Sequence, residues 1–407
     1  MSQTCRSCAG INLQIILDLG VCPPSNALLA SPADFEYEIS YPLRLLFCLD
    51  CKLVQTLDFH RGRDLFTDDY PYLSSTSKSW LDHCSELVDQ LSSEFALGPS
   101  SKVCEIASND GYLLQFLEER SVPCFGIEPT HIPASISKSK GHSVYQTFLS
   151  LESVNEIIES EGLSDIVIGI NVFAHVENLF DFTKAAVKLL KPSGVLVVEI
   201  QYFADLVKNH LFDTVYHEHF SYFGVVSISN LLSQFGLNIF RIDRIPTHGG
   251  SIRVFASSQC RDSKFEVLNY YQKYETHITQ LNKLETFQTE VNQIRRNVQK
   301  FFYEMKNYDG RFVAYGAAAK GNTLLNFCEI GPDVIEFVVD NAESKIGKYL
   351  PGSHIPIRSV SALSSVSSRN LVILPWNIID EIGPSITKRF NNKFNIFTLL
   401  PRISRYN

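Results

Sequence analysis

Lys102-Val-Cys-Glu-Ile-Ala-Ser-Asn-Asp-Gly-Tyr112 runs from an apolar strand pattern through a turn of small and polar residues into an amphipathic stretch. A strand is predicted over 101–107 and a helix over 112–120. The next strand pattern, 124–127, ends on Glu128, 23 positions after Glu105. Beyond it the pattern alternates: helix near 151–161, strand 165–170, helix 181–190, strand 194–200 and a short helix over 202–208. Such alternation predicts an α/β domain, a parallel sheet with helices on both faces. Ligands of such sheets sit beyond the carboxyl ends of the strands.

The chemistry of the turn narrows the ligand. Small residues let backbone approach a cofactor, and a carboxylate at the next strand end can accept ribose hydroxyls. The turn has no GxGxxG and offers no helix N-terminus to a pyrophosphate, so an adenosyl cofactor without phosphates suits it better than NAD. Candidate contacts are Glu105, Ala107, Asn109, Gly111 and Glu128, with Asn171 after the following strand in Asn171-Val-Phe-Ala-His175. With Lys191-Pro-Ser-Gly as the last helix-to-strand turn, the order resembles class I methyltransferases, which implies S-adenosylmethionine.

Past this sheet lies Thr214-Val-Tyr-His-Glu-His-Phe-Ser-Tyr222, nine residues with two imidazoles, a carboxylate, two phenols and two hydroxyls. That mixture is costly to bury and suited to moving protons. Satisfied histidines of a polar loop are the plain alternative, but a cofactor pattern upstream and a nucleotide-like pattern downstream favour catalysis.

The chain has 407 residues, enough for two or three domains. With 45% hydrophobic and 20% charged residues it can fill sizeable cores, and a net charge of −8 argues against general nucleic-acid or anionic-membrane binding. No apolar run approaches a membrane span and the amino terminus lacks a signal-peptide build, so a reducing, cytoplasmic setting is expected for the ten cysteines. Cys5-x2-Cys8 and Cys48-x2-Cys51 are two knuckles able to share one tetrahedral zinc. Four thiolates leave no open position, so the ion is structural. Asp68–His83 then opens a helix; its hydroxyls serve either as turn and cap residues or, with Tyr70 and Tyr72, as a pocket lining.

Thr247-His-Gly-Gly-Ser-Ile-Arg253 is a glycine turn entering a strand, its arginine suited to phosphate or to a surface carboxylate. Residues 264–306 carry apolar positions spaced mostly at three or four without glycine or proline, which predicts one long helix or two consecutive ones packing within the chain. Arg311-Phe-Val-Ala-Tyr-Gly-Ala-Ala-Ala-Lys-Gly-Asn-Thr then joins a strand to a helix start, where backbone N–H groups attract phosphate. A second strand ends at Asp340, as a ribose-binding acid would.

In order, the knuckles, Tyr70-Pro-Tyr-x-Ser-Ser, Glu105-Ile-x-Ser-Asn-Asp-Gly, Asn171-x-x-x-His175, Tyr216-His-Glu-His-x-Ser-Tyr, His248-Gly-Gly-Ser-x-Arg, Gly316-Ala-x-Ala-Lys-Gly-Asn-Thr and Pro351-Gly-x-His-Ile-Pro resemble the nucleotide-sugar C-methyltransferases. The resemblance covers essentially the whole chain. It implies a zinc-binding domain over 1–67, a methyltransferase domain over 68–260, a helical linker over 261–306 and a Rossmann-like domain over 307–407. It implies methyl transfer to a carbon, C3 in this family, of a thymidine- or guanosine-linked 4-keto-6-deoxysugar. His219 is the implied base, with Tyr216, Glu218, His175 and one of Tyr70 or Tyr72 around the sugar. Ser74, Ser75 and Lys78 join the cofactor set. Tyr222, His248, Ser251, Arg253, Gly316, Ala317, Lys320, Gly321, Asn322 and Asp340 form the substrate set. A monomer or weak homodimer is expected. The competing readings are an O- or N-methyltransferase on a similar substrate and a non-catalytic nucleotide-sugar binder.

Overall fold

The computed structural model describes residues 4–57, 73–259, 261 and 265–406. Three sheets organise them. The first is an antiparallel meander of β1 (Leu13–Cys22), β2 (Tyr41–Cys48) and β3 (Val54–Thr56). Leu17, Leu43, Leu45, Leu53 and Val54 fill its buried face. Each cysteine knuckle closes on a residue in the left-handed region, Ala9 after Cys8 and Lys52 after Cys51 (φ 58° and 68°). Ala9 N–H returns to Cys5 O and Lys52 N–H to Cys48 O, so the two turns repeat one geometry.

The second sheet holds β4 (Val103–Ile106), β5 (Cys124–Ile127), β6 (Val144–Tyr145), β7 (Ser164–Ile170) and β8 (Leu190–Gln201) in parallel. Burial from both faces explains their near-continuous apolar runs. After β9 (Ser221–Tyr222), the chain adds β10 (Asn238–Ile245) and β11 (Ser251–Ser257), giving the order β10-β11-β8-β7-β4-β5-β6. While the strands read from the alternating pattern are parallel as expected, β11 runs against both its neighbours. The cause is the turn at His248, Gly249 and Gly250, three successive residues with positive φ, which reverses the chain directly after β10.

β9 leaves this sheet altogether. It pairs antiparallel with β3, so the acid–base stretch supplies the fourth strand of the zinc-site sheet.

The linker is two helices, Phe265–Ile278 and Leu281–Asp309. Leu284, Phe287, Val291 and Val298 of the second are fully buried within this chain, and Gln288 accepts the Asp18 N–H of β1 at 2.6 Å. The third sheet orders β14 (Ile357–Ser359), β13 (Ile335–Asp340), β12 (Phe312–Tyr315), β15 (Asn370–Ile373) and β16 (Asn395–Thr398) in parallel, with antiparallel β17 (Ser404–Tyr406) at the edge. Its first helix, Ala319–Phe327, packs on the turn Phe212–Thr214 and so faces the acid–base stretch. Among the described residues no helix is long and apolar enough to cross a membrane.

Candidate active site

The strand-poor segment 212–220 lies where the three sheets meet. His219 Nδ1 is 3.1 Å from Thr214 O, and its Nε2 is 2.8 Å from the Tyr216 hydroxyl. A carbonyl only accepts, so Nδ1 carries the hydrogen and Nε2 carries the lone pair that Tyr216 O–H meets. The His175 ring lies 4.6 Å away, centroid to centroid. Its Nδ1 is 2.7 Å from Glu218 O, and the same logic puts its lone pair on Nε2. Burial holds the His219 imidazole well below its ordinary value, with His175 and Lys320 adding to the effect. Burial likewise moves His175 down to about 4. Both rings are therefore neutral at physiological pH, and His219 is a base of lower proton affinity than a free imidazole.

Lys320 brings a cation into the site. It reaches over Trp376 to hold Asn377 Oδ1 at 2.7 Å, and it acts electrostatically on both His219 and His248. Burial lowers its own ammonium, opposed by Asp213. Asp213 in turn accepts the Trp376 indole N–H at 2.7 Å. His248 has φ 56° in the reversal turn and faces Trp80 edge-on at 5.6 Å. Burial moves its imidazole down to about 4.

At the end of β4 the turn places Ala107, Asn109 and Gly111 at φ 57°, 47° and 82°. A side chain at Gly111 would meet His142 at 2.4 Å and Ser137 at 2.7 Å, so the turn closes tightly on the chain beside it. Glu128, at the end of β5, accepts the Asn109 and Thr130 N–H groups at 2.9 and 2.8 Å and the Thr130 hydroxyl. That leaves about one of its four lone-pair positions for a ligand hydroxyl. Glu105 is fully buried, and burial raises its carboxyl well above the ordinary range despite Tyr112 alongside. Ser74 N–H donates to Asn109 Oδ1 at 2.9 Å, and the Ser75 hydroxyl binds the Asp110 carboxylate. Asn171, at φ 53°, ends β7 beside this turn, with its N–H on Glu199 O. A small-residue turn with an acid at the next strand end fits an adenosyl group. The four cysteine sulfurs lie within 4.8 Å of one another, with Cys5–Cys51 at 3.4 Å and Cys8–Cys48 at 3.7 Å. Zinc–sulfur bonds of about 2.3 Å set tetrahedral edges of about 3.8 Å, so the four thiolates fit one zinc.

Three domain families match the chain in order: a zinc binding domain over residues 5–66, a methyltransferase domain over 79–242 and a C-methyltransferase C-terminal domain over 246–401. The C-methyltransferase NovU of Streptomyces niveus is 30% identical over 384 residues, spanning 93% of this chain and 90% of that protein. The chain belongs to the C-methyltransferases. This C-methyltransferase uses S-adenosylmethionine and carries its zinc on Cys5, Cys8, Cys48 and Cys51. Among solved structures, the PH0226 protein of Pyrococcus horikoshii OT3 is 15% identical with a TM-score of 0.37, covering 46% of this chain and 95% of that one. The SAM-bound magnesium protoporphyrin IX methyltransferase of Synechocystis PCC 6803 is also 15% identical, with a TM-score of 0.35, covering 44% and 79%. Neither likeness is close enough to carry an argument.

Several expected roles change in the folded enzyme. Arg253 does not reach toward a phosphate. It is 4% exposed and clamps Glu199 through Nε and Nη2 at 3.0 and 2.8 Å, with Gln90 on Nη1. The Glu218 carboxylate turns to the loop after Cys22, where its Oε1 accepts the Asn26 N–H at 2.9 Å and burial raises its carboxyl, while its backbone carbonyl is what orients the His175 ring. His175 cannot donate to an oxyanion while neutral, because its one N–H is held by Glu218 O. Tyr222 is buried with its hydroxyl donated to Thr214 O, 3.4 Å away, so it braces the stretch. Ser251 is buried in β11 and donates to Thr247 O. Asp340 accepts the Ala317 and Ala342 N–H groups at 2.8 and 2.9 Å, one on each oxygen, which closes its own turn and leaves about two of its four lone-pair positions. Gly316 and Gly321 are required by packing, since a side chain would meet Pro375 at 2.5 Å or Leu374 at 2.8 Å. Lys78 is exposed at the first position of the helix Lys78–Glu94. Asn322 is fully buried, and neither atom of its amide has a partner among the described residues. Tyr70 and Tyr72 lie outside the described residues. Asp213, Trp376, Ser25 and Asn26 enter the site unannounced, Asp213 alone standing next to the acid–base stretch, whereas Thr323 closes the Gly316–Thr323 motif and follows the candidate Asn322.

Proposed function

We propose that this C-methyltransferase acts on a nucleoside-diphospho-4-keto-6-deoxysugar, thymidine- or guanosine-linked, at the C3 carbon beside the ketone and by way of an enolate. The observation that carries the reading is the His219 ring, neutral, half-buried and held by Thr214 O so that its lone pair points to the Tyr216 hydroxyl. A ketone makes the neighbouring C–H removable. Tyr216 O–H turns from Nε2 to the ketone oxygen as Nε2 takes the carbon-bound proton. His219 then has two N–H groups, and the second one donates to the Tyr216 oxygen, keeping the phenol aimed at the enolate. Lys320 supplies positive field for the enolate and for the diphosphate. His175 Nε2 offers a second acceptor beside the sugar, and one of Tyr70 or Tyr72 completes the sugar site. When bound, S-adenosylmethionine supplies an electrophilic methyl group to the enolate carbon. Glu105, Ala107, Asn109, Gly111, Glu128 and Asn171 hold the adenosyl portion, with Ser74 and Ser75 bracing the turn. The catalytic unit is a cytoplasmic monomer or weak homodimer divided at about the bounds given above.

The test incubates thymidine- and guanosine-diphospho-4-keto-6-deoxyglucose with enzyme and S-adenosylmethionine in deuterated water, read by mass spectrometry and NMR. Gain of one methyl group on C3, with loss of exchangeable C3 hydrogen, is expected. His219→Gln should abolish both C3 exchange and methyl gain with cofactor affinity unchanged. A methyl group on oxygen or nitrogen, or C3 exchange that survives His219→Gln, overturns the reading.

A further inference from the structure

Thr323 lies midway along the helix Ala319–Phe327 and is 2% exposed. Its Oγ1 donates to Val215 O at 3.0 Å. The same oxygen lies 3.2 Å from Ser25 Oγ, and because the Thr323 hydrogen is committed to Val215, Ser25 must be the donor there. The result is a one-way relay, Ser25 O–H to Thr323 O–H to Val215 C=O, with Ser25 and Val215 themselves 4% and 0% exposed. It draws on the zinc-site end of the chain, the last α/β sheet and the acid–base stretch, three regions far apart in sequence.

Val215 lies between the two groups that define the His219 ring. Thr214 O, on its amino side, holds Nδ1; Tyr216, on its carboxyl side, meets Nε2. Rotation of the Val215–Tyr216 peptide would therefore shift the phenol against the imidazole. One residue before His219, the Asn26 N–H fixes Glu218 Oε1, and Ser25 reaches Val215 through Thr323, so the loop after Cys22 grips the stretch at two points. Buried hydrogen-bonding groups of this kind give a unique geometry when all are satisfied, and a displacement of about 1 Å in catalytic groups can cost on the order of 100-fold in rate.

We propose that Thr323 and Ser25 are positioning residues that set the tautomer and aim of His219. This rests on the reading of His219 as the base, and the experiment separates the two. Thr323→Val keeps the shape but leaves Val215 O and Ser25 O–H unpaired; Thr323→Ser restores the hydroxyl. Imidazole-nitrogen NMR of the cofactor-bound enzyme, with His219→Gln to assign the signal, reads the tautomer without turnover. The wild-type and Thr323→Ser proteins should show the Nδ1–H form, and Thr323→Val a mixture. With thymidine-diphospho-4-keto-6-deoxyglucose, Thr323→Val should lower kcat about 10-fold or more with KM little changed, and Thr323→Ser should recover most of it. A pure Nδ1–H signal and wild-type kcat in Thr323→Val overturn the positioning role. Loss of KM alone overturns it as well, since that marks a substrate contact. If His219→Gln retains C3 exchange, the base assignment fails; the tautomer result still decides the role of Thr323.

Discussion

Arg253→Met separates an internal ion pair from a phosphate ligand. Glu199 is 0% exposed and holds two contacts from Arg253 within 3.0 Å, plus one from His83 at 2.9 Å. Methionine retains the apolar stem and most of the volume, so the chief loss is the countercharge. Removing one partner of a buried pair costs about 3–5 kcal/mol. The retained His83 contact places the expected value near the lower end, about 3 kcal/mol, or roughly 150-fold in the folding equilibrium. Urea unfolding at constant m-value measures it. Removing both charges, in Arg253→Met/Glu199→Leu, should recover most of the loss because no ion is then left buried. Burial raises the Glu199 carboxyl, but His83 and Arg253 outweigh it and hold it below the ordinary range. A value lowered by folding contributes stability above the unfolded carboxylate value of about 4.3 and loses it as pH falls, so the single-variant deficit should shrink in acid. Wild-type stability in Arg253→Met, joined to a raised KM for the nucleotide sugar, would refute the ion-pair argument and restore the phosphate role.

The His219 imidazole, held well below 6.5 by burial, should keep kcat/KM for C3 hydrogen exchange level as pH falls through 6.5, with decline only in more acid buffer; a limb centred between 6.5 and 7 would contradict this. His175 and His248, both lowered to about 4, contribute stability that is complete above about 6.5 and is lost as pH falls toward 4, so the melting temperature should drop across that window. Cys48→Ser should abolish stoichiometric zinc and, because β3 carries β9, lower turnover more than 10-fold; a variant that binds no zinc and keeps full activity would remove zinc from any structural role.

Much of the central sheet was readable because its strands are buried on both faces and separated by helices of ordinary length. The strand at Cys124–Ile127 falls where its apolar run predicts, and the helix after Asn178 starts two residues early only because Asn178 caps Asp181 N–H. What escaped reading was long-range. Nothing local marks Ser221–Tyr222 as a strand partner of Val54–Gln55, since two residues carry no periodicity. The direction of β11 depends on three consecutive positive-φ residues, of which His248 is not a glycine. In the site, residue type gave the inventory but not the assignment. Arg253 and Glu199 are paired through adjacent strands 54 residues apart, and Glu218 finds its partner at Asn26, 192 residues away. Zinc ligands were legible because spacing alone fixes a knuckle, whereas the partner of a buried carboxylate is decided by topology.

The pairing of β3 with β9 bears on how this enzyme can be recombined. Family boundaries suggest clean cuts near residues 66–79 and 242–246, as if the zinc unit were a detachable module. Yet residues 221 and 222 complete that unit's sheet, and Asn26 and Gln55 lock onto the same short segment. A hybrid assembled from two relatives at those cuts would mate one parent's zinc unit with the other parent's proton-transfer segment across a buried seam. The natural unit of exchange is discontinuous: residues 4–57 should travel together with residues 212–224, whichever parent supplies the cofactor sheet.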